Sequence, residues 1–153
     1  EAEKGMEDLE QVARARPQYK FVIVGSGSYV PSGHNVEVKS VPYDQIHKVY
    51  QDAEIFFLPS RATPTWEEQY GMALVEAMAS GLPIVTTSSG AIAEVVGNAG
   101  VVCKEGDIKA MTDAISALIT NTRKSSNLSK LAISRANNKF DSLKVSKKLN
   151  QLY

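Results

Sequence analysis

The chain has 153 residues, which suits a single domain, and 43% of them are hydrophobic, too many for a disordered chain. Lysine plus arginine and aspartate plus glutamate each number 17, so no net charge favours nucleic acid or another polyanion as a partner. The single cysteine, Cys103, excludes a disulfide framework within the chain and fits a reducing compartment. We therefore expect a cytoplasmic protein in which Cys103 is a buried thiol.

The first half of the chain alternates helical and extended patterns. A helix that ends before Pro17 is followed by the apolar run 21–24, which predicts a strand buried on both faces. A weaker strand over 36–38, a helix over 43–50 and a second doubly buried strand over 55–58 follow in that order.

The second half, after a polar loop, continues the same alternation. It predicts, in order, helix 72–79, strand 83–87, helix 91–96, strand 99–103 and helices 108–119, 126–137 and 142–149. Short hydrophobic strands alternating with helices indicate right-handed βαβ units, and hence an α/β fold with a Rossmann-like, doubly wound parallel sheet. Ligands of such sheets bind beyond the carboxyl ends of the strands, so we expect the site at loops 25–28, 60–71 and 87–90.

Two carboxylates flank the start of helix 72–79. Glu68 lies just before the helix and Glu76 lies within it, about 12 Å apart if the residues between them were all helical. The free amides and positive dipole end near Gly71 and Met72 favour a diphosphate, and Gly71 lets it approach the backbone. The spacing predicts a ligand with hydroxyl groups at both ends and a diphosphate between them.

Each carboxylate taken alone also has an ordinary structural interpretation. Glu68 could complement the charge of the first helical turn, and Glu76 could be an exposed helical residue. Two observations favour a ligand site: Glu76 interrupts an otherwise apolar stretch, and the preceding loop is long and carries Trp66 and Tyr70.

The segment from Glu68 to Glu76 resembles the Glu-x(7)-Glu motif of retaining glycosyltransferase family 4. This is a group 1 family in the glycogen-synthase-like superfamily, with the two-domain GT-B fold. Further matches run in order along nearly the whole chain, at residues 4–5, 21–27, 53–60, 76–83 and 89–96. The resemblance implies that residues 1–153 form one nucleotide-sugar-binding domain, the C-terminal half of such an enzyme, with its last helices at about 108–150.

The resemblance also implies roles for single residues. Glu68 would contact the hydroxyls of the donor sugar, and Glu76 would bind the ribose. Lys4 would neutralise the phosphates, and we count Lys4 and Glu68 as the catalytic pair. Amides or contacts to the diphosphate would come from Gly71, Met72 and Ala73.

The nucleotide end of the implied site is less well matched. Gly25 and Gly27 would border the nucleotide, and the base would be read near 40–41, where this sequence lacks the family's common glycine. The arginine that usually precedes the matched lysine would fall before Glu1, and no strand precedes the first helix. We therefore expect a chain truncated at its N-terminus.

The implied reaction is transfer of a sugar from a nucleotide diphosphate-sugar with retention of anomeric configuration. The donor is a substrate, and no cofactor is expected. His34 and His47 are isolated and no Asp-x-Asp occurs, so we expect no metal site. A missing N-terminal domain would bind the acceptor, so the chain alone would bind donor and transfer nothing. The alternative is a non-catalytic nucleotide-sugar-binding module or subunit.

The last third of the chain is rich in basic residues, which are Arg123, Lys124, Lys130, Arg135, Lys139, Lys144, Lys147 and Lys148. Many relatives act on lipid-linked acceptors at membranes, and a basic face at the inner surface of a membrane would suit such an acceptor. The alternative is that these charges lie on solvated helix faces.

Overall fold

The computed structural model describes residues 2–25 and 29–151. The helices are α1 (Met6–Ala15), α2 (Ile46–Asp52), α3 (Met72–Ala79), α4 (Ile92–Val96), α5 (Ile108–Thr120), α6 (Thr122–Arg135) and α7 (Ser142–Asn150). The strands are β1 (Phe21–Val24), β2 (Val36–Lys39), β3 (Phe56–Leu58), β4 (Ile84–Thr87) and β5 (Gly100–Cys103). Short 3-10 turns, Ala2–Lys4 and Tyr43–Gln45, precede α1 and α2, and a π-helical segment, Ala136–Phe140, joins α6 to α7.

All strand pairs in the described residues are parallel. β1 pairs with β2, starting at Phe21 opposite Val36, and β4 lies between β3 and β5 in a sheet of three strands. The predicted parallel α/β architecture is therefore confirmed. Within residues 2–25 and 29–151, however, the strands form two hydrogen-bonded sheets and not one. In this part of the chain β1 and β3 each pair with a strand on one side only.

The central strand β4 explains why helices cover both faces of its sheet. Ile84 packs with α3 and α4 in one hydrophobic cluster, and its neighbour Val85 packs with α1 and α5 in the other. Both side chains are completely buried. Since successive side chains of a strand point to opposite faces, one strand supplies both cores, and each such side chain contributes roughly 1.5–3 kcal/mol.

Two strands are less buried than the sequence predicts. Val22 in β1 is 39% exposed, and all three residues of β3 are only half-buried. We expected both strands to be buried on both faces, as β4 is. In the described residues β1 and β3 lie at sheet edges, so they lack the neighbour that β4 has on each side.

The C-terminal helices follow the prediction with one shift. α6 begins at Thr122, four residues before its expected start, because the Asn121 side chain accepts a hydrogen bond from the Lys124 amide at 2.9 Å and caps the helix. Cys103 is buried, as expected, and burial raises the pKa of its thiol. Over the described residues, no helix combines the length and apolarity needed to cross a bilayer.

Candidate functional site

The N-terminus of α3 is open. Gly71 precedes the helix in a left-handed conformation with φ of 69°, and no side chain caps the helix there. Met72 is 62% exposed and Ala73 is also exposed. The first amides of the helix have no partner within the helix itself, so they are available to an anion.

The loop before α3 is fixed to the loop after β4. The backbone carbonyl of Glu68 accepts a hydrogen bond from the Ala91 amide at 2.9 Å. Gly90 makes this approach close, since a Cβ atom there would overlap the Glu68 carbonyl oxygen, and its φ is 52°. The loops that follow β3 and β4 therefore meet at Glu68, as expected for loops at the carboxyl edge of a parallel sheet.

Lys4 and Glu68 lie in contact, although 64 residues separate them. The Lys4 ammonium donates to Glu68 Oε2 at 3.1 Å, and it lies 4.6 Å from the centre of the Trp66 ring, within cation–π range. The Glu68 side chain is 13% exposed and that of Lys4 is 40% exposed. Lys4 and residues 63–69 line an open cavity of about 690 Å³.

Contacts around the first turn of α1 explain how Lys4 reaches this cavity. The Arg61 amide donates to the Glu3 carbonyl at 3.0 Å, and Gly5 packs so tightly against Pro59 that a Cβ atom would overlap its carbonyl. The buried carboxylate of Asp8 accepts two hydrogen bonds from the Arg61 guanidinium, one of them at 2.7 Å. The start of α1 is thus attached to the carboxyl end of β3.

The pairing of Asp8 with Arg61 was not predicted from the sequence. Asp8 is fully buried, together with Leu9, Val12 and Ala13 of the same helix. Its place on the apolar stripe of α1 was a usable signal, because a buried carboxylate needs a partner.

Glu76, one turn inside α3, is held by two tyrosines. The Tyr43 hydroxyl donates to Glu76 Oε1 at 2.9 Å, and the Tyr50 hydroxyl donates to Oε2 at 3.0 Å. The hydrogen bond to Glu76 raises the pKa of Tyr43, and burial raises the pKa of Tyr50. Both phenols therefore remain protonated donors at neutral pH.

These tyrosines were also missed. They are seven residues apart, which is nearly two helical turns and so one face of the predicted helix 43–50. Two tyrosines at that spacing only weakly indicate a shared role, and nothing in the neighbouring sequence identifies Glu76 as their partner.

The glycine turn after β1 is only partly described. Gly25 donates its amide to the Lys39 carbonyl at 3.0 Å, and a Cβ atom added to it would meet no described atom within 4 Å. Gly27 lies outside the described residues. Residues 40–41, where we expect the base to be read, follow β2 and immediately precede the segment that carries Tyr43.

Two buried serine hydroxyls lie at the carboxyl ends of β3 and β4. Ser60 and Ser89 are fully buried, and their hydroxyls have no hydrogen-bond partner among residues 2–25 and 29–151. His34 and His47 are both exposed, and the same described residues contain no group of three potential metal ligands.

The fold and the site define a parallel α/β domain whose open helix end is flanked by carboxylates. The family model described as "Glycosyl transferases group 1" matches residues 3–121. The chain therefore belongs to the group 1 glycosyltransferase family, as the resemblance in its sequence implied.

Curated relatives agree with this assignment. The chain is 26% identical over 119 residues to the sulfoquinovosyl transferase SQD2 of Arabidopsis thaliana, a match that covers 70% of this chain and 22% of that protein. It is 28% identical over 131 residues to the GDP-mannose-dependent alpha-(1-6)-phosphatidylinositol monomannoside mannosyltransferase of Mycolicibacterium smegmatis, covering 76% and 34%. The chain thus spans about a third or less of the length of these two relatives.

A solved structure shows the same fold. The crystal structure of Anabaena Alr3699/HepE in complex with UDP superposes with a TM-score of 0.86 at 22% sequence identity. The superposition covers 99% of this chain and 45% of that one.

Proposed function

We propose that the protein transfers a sugar from a nucleotide diphosphate-sugar to an acceptor with retention of anomeric configuration. This chain supplies the donor-binding half. The observation that carries the proposal is the arrangement of Lys4, Glu68 and Glu76 around the uncapped N-terminus of α3. Membership of the group 1 glycosyltransferase family and the UDP in the superposed Anabaena structure support it.

The site divides the donor into three parts. The diphosphate lies against the amides that follow Gly71, those of Met72 and Ala73, while Glu76 accepts hydrogen bonds from ribose hydroxyls. Glu68 accepts hydrogen bonds from the donor sugar. This order follows the chain, since Glu68 precedes the helix end and Glu76 lies one turn beyond it.

Catalysis requires that the leaving group be stabilised. As the bond between the anomeric carbon and the diphosphate oxygen breaks, negative charge grows on the diphosphate. The acceptor oxygen forms the new bond to that carbon, and its proton passes to the departing diphosphate oxygen, which is the group that gains the negative charge. Lys4 and the amides of α3 stabilise the growing charge, and fixed donors of this kind typically contribute the largest catalytic effect. The Lys4 side chain is 40% exposed, so a phosphate can reach its ammonium beside Glu68.

The acceptor is bound by a further domain. A relative named for phosphatidylinositol monomannoside supports a lipid-linked acceptor, for which the exposed basic residues of α6 and α7 would face an anionic membrane surface on the cytoplasmic side. Arg135 is not one of them, because its guanidinium donates to the backbone carbonyls of Glu94 and Val95. We expect the isolated chain to bind donor without turnover.

The test compares three glutamates in the protein at its natural length. UDP-, GDP- and ADP-sugars are supplied to the wild type and to Glu68→Gln, Glu76→Gln and Glu54→Gln. Glu68→Gln should lower kcat by about 100-fold or more, the size of effect that a lost transition-state contact has. Glu76→Gln should weaken nucleotide binding by about tenfold. Glu54 is an exposed carboxylate just before β3 and is not among the residues that line the cavity, so its variant should match the wild type.

Product analysis and a chelator test the retention of configuration and the independence from metal. Nuclear magnetic resonance of the first-formed product should show the donor's anomeric configuration, and turnover should persist in a chelator. An inverted product, or full activity in Glu68→Gln, contradicts the proposal. Selective donor binding without any turnover would instead favour the non-catalytic module.

A further inference from the structure

The two tyrosines that hold Glu76 are not equivalent. Tyr50 is 9% exposed, and its ring packs against Phe56 with centroids 6.2 Å apart. Its hydroxyl also lies 3.4 Å from the Ala73 carbonyl oxygen. Packing therefore fixes the direction in which Tyr50 donates to Glu76.

Tyr43 differs from Tyr50 in burial. It is 76% exposed and begins the short 3-10 turn before α2. Its hydrogen bond to Glu76 Oε1 is therefore made at the surface, where water or another hydroxyl can replace it. An exposed bond of this kind stabilises a conformation only weakly.

The two hydrogen bonds go to different oxygens of the Glu76 carboxylate. Tyr50 approaches Oε2 from the core, whereas Tyr43 approaches Oε1 from solvent. A ligand hydroxyl arriving from solvent meets the Oε1 side first, and there it meets the Tyr43 hydroxyl.

We propose that Tyr50 is a positioning residue that aims Glu76 at the ribose, and that Tyr43 occupies the ribose position in the unliganded protein and is displaced by the nucleotide. This inference rests on the proposed function, in which Glu76 binds ribose. It predicts that removing the hydroxyl of Tyr50 and removing that of Tyr43 have opposite effects on nucleotide binding, although both hydroxyls donate to the same carboxylate.

Nucleotide binding to the full-length protein separates the two tyrosines. UDP, GDP and ADP are titrated by calorimetry, and the nucleotide bound most tightly is then compared with its dideoxyribose analogue, which lacks both ribose hydroxyls. The variants are Tyr50→Phe, Tyr43→Phe and Glu76→Gln, with Tyr19→Phe as a control because that ring packs in the other hydrophobic cluster. Circular dichroism and melting temperature verify that each variant is folded.

We expect Tyr50→Phe to weaken binding of the ribonucleotide by about tenfold, the effect of losing a hydrogen bond to a charged group. Binding of the dideoxy analogue should stay unchanged, which a general loss of structure would not produce. Tyr43→Phe should strengthen ribonucleotide binding by about threefold, because the bond that it removes is weak and competes with the ligand. Tyr19→Phe should match the wild type.

Failure of the inference and failure of the proposed function look different. If Glu76→Gln removes the preference for ribose while Tyr50→Phe leaves it intact, the positioning role is wrong and the ribose role of Glu76 stands. If Tyr43→Phe weakens ribonucleotide binding, Tyr43 contacts the ligand and does not compete with it. If the wild type binds the ribonucleotide and its dideoxy analogue equally, Glu76 does not bind the ribose. The same holds if Glu76→Gln still prefers the ribonucleotide. In either case the proposed ribose role fails, and the inference fails with it.

Discussion

Glu68 lies just before the start of α3 and Glu76 lies one turn inside it, and the protein holds the two carboxylates by different chemistry. Glu68 is paired with a cation, Lys4, and its backbone is anchored to the loop after β4. Glu76 is held by the neutral hydroxyls of Tyr43 and Tyr50. A bound diphosphate would compete with Glu68 for Lys4, whereas the hydrogen-bond partners of Glu76 are neutral hydroxyls that do not attract a phosphate.

The two carboxylates also differ in how far along the chain their supporting residues lie. Glu68 depends on the turn before α1, through Lys4, and on the loop after β4, through Ala91, so two distant parts of the chain must be in place. Glu76 depends on one continuous segment, α2 and the 3-10 turn before it, and lies inside α3, whose own hydrogen bonds fix its backbone. Changes that loosen α1 or the loop after β4 should therefore affect Glu68 more than Glu76.

The largest effect is expected at Gly90. In Gly90→Ala the new Cβ atom overlaps the Glu68 carbonyl, and a φ of 52° is unfavourable for alanine. The left-handed conformation costs roughly 1–2 kcal/mol and the overlap a further 1–3 kcal/mol. Urea denaturation should show this loss, and kcat should fall with it because Glu68 is displaced.

Gly25→Ala is the matched control for that substitution. A Cβ atom at Gly25 meets no described atom within 4 Å, so the free energy of unfolding should change by less than about 0.5 kcal/mol. Equal losses in the two variants would mean that the contact between Gly90 and Glu68 does not fix the loop.

A smaller effect is expected at Arg61. Arg61→Met leaves the fully buried Asp8 carboxylate without its partner, which destabilises the domain by about 2 kcal/mol. Because Asp8 is on α1, the change should also loosen Lys4, so donor turnover should fall more than binding of the free nucleoside. Arg61→Lys should recover part of the stability, and a variant in which nucleoside binding alone is lost would contradict the coupling to Lys4.

The sequence predicted those parts of the site whose residues are close along the chain. Glu68, Gly71 and Glu76 fall within nine residues, and the helical pattern alone places a helix end between the two carboxylates. Lys4 was found only because its segment resembles a family. Tyr43 and Tyr50 were missed, since which residues α2 meets on α3 depends on how the helices pack.

The burial of strands shows the same limit. The apolar runs 21–24 and 55–58 predicted strands correctly, and both strands exist with nearly those bounds. Their exposure could not be predicted, because an apolar run carries no information about how many neighbours a strand has. β4 has two neighbours and is fully buried, whereas β1 and β3 have one each and are not.

A third carboxylate, Glu10, has a structural role and can be compared with Glu68 and Glu76 in the site. Its oxygens accept hydrogen bonds from the Tyr29 hydroxyl at 2.6 Å, from the amide and hydroxyl of Ser32, each at 2.7 Å, and from Arg14 at 2.9 Å. The hydrogen bond from Tyr29 is the largest cause that lowers the pKa of Glu10 from 4.5 to about 2. Glu10 thus joins α1 to the segment that follows the glycine turn.

The smallest effect that we predict is the contribution of Glu10 to stability, which depends on pH. A carboxylate whose pKa is lowered on folding adds stability above its unfolded pKa, near 4.5, and that stability is lost as the pH falls towards 2. We expect about 1 kcal/mol, because several of the partners are solvated. Tyr29→Phe should flatten the stability profile between pH 5 and pH 2 and leave nucleotide binding unchanged at neutral pH. An unchanged acid profile would contradict the role of Tyr29, whereas weaker nucleotide binding would mean that the Glu10 cluster also supports the site.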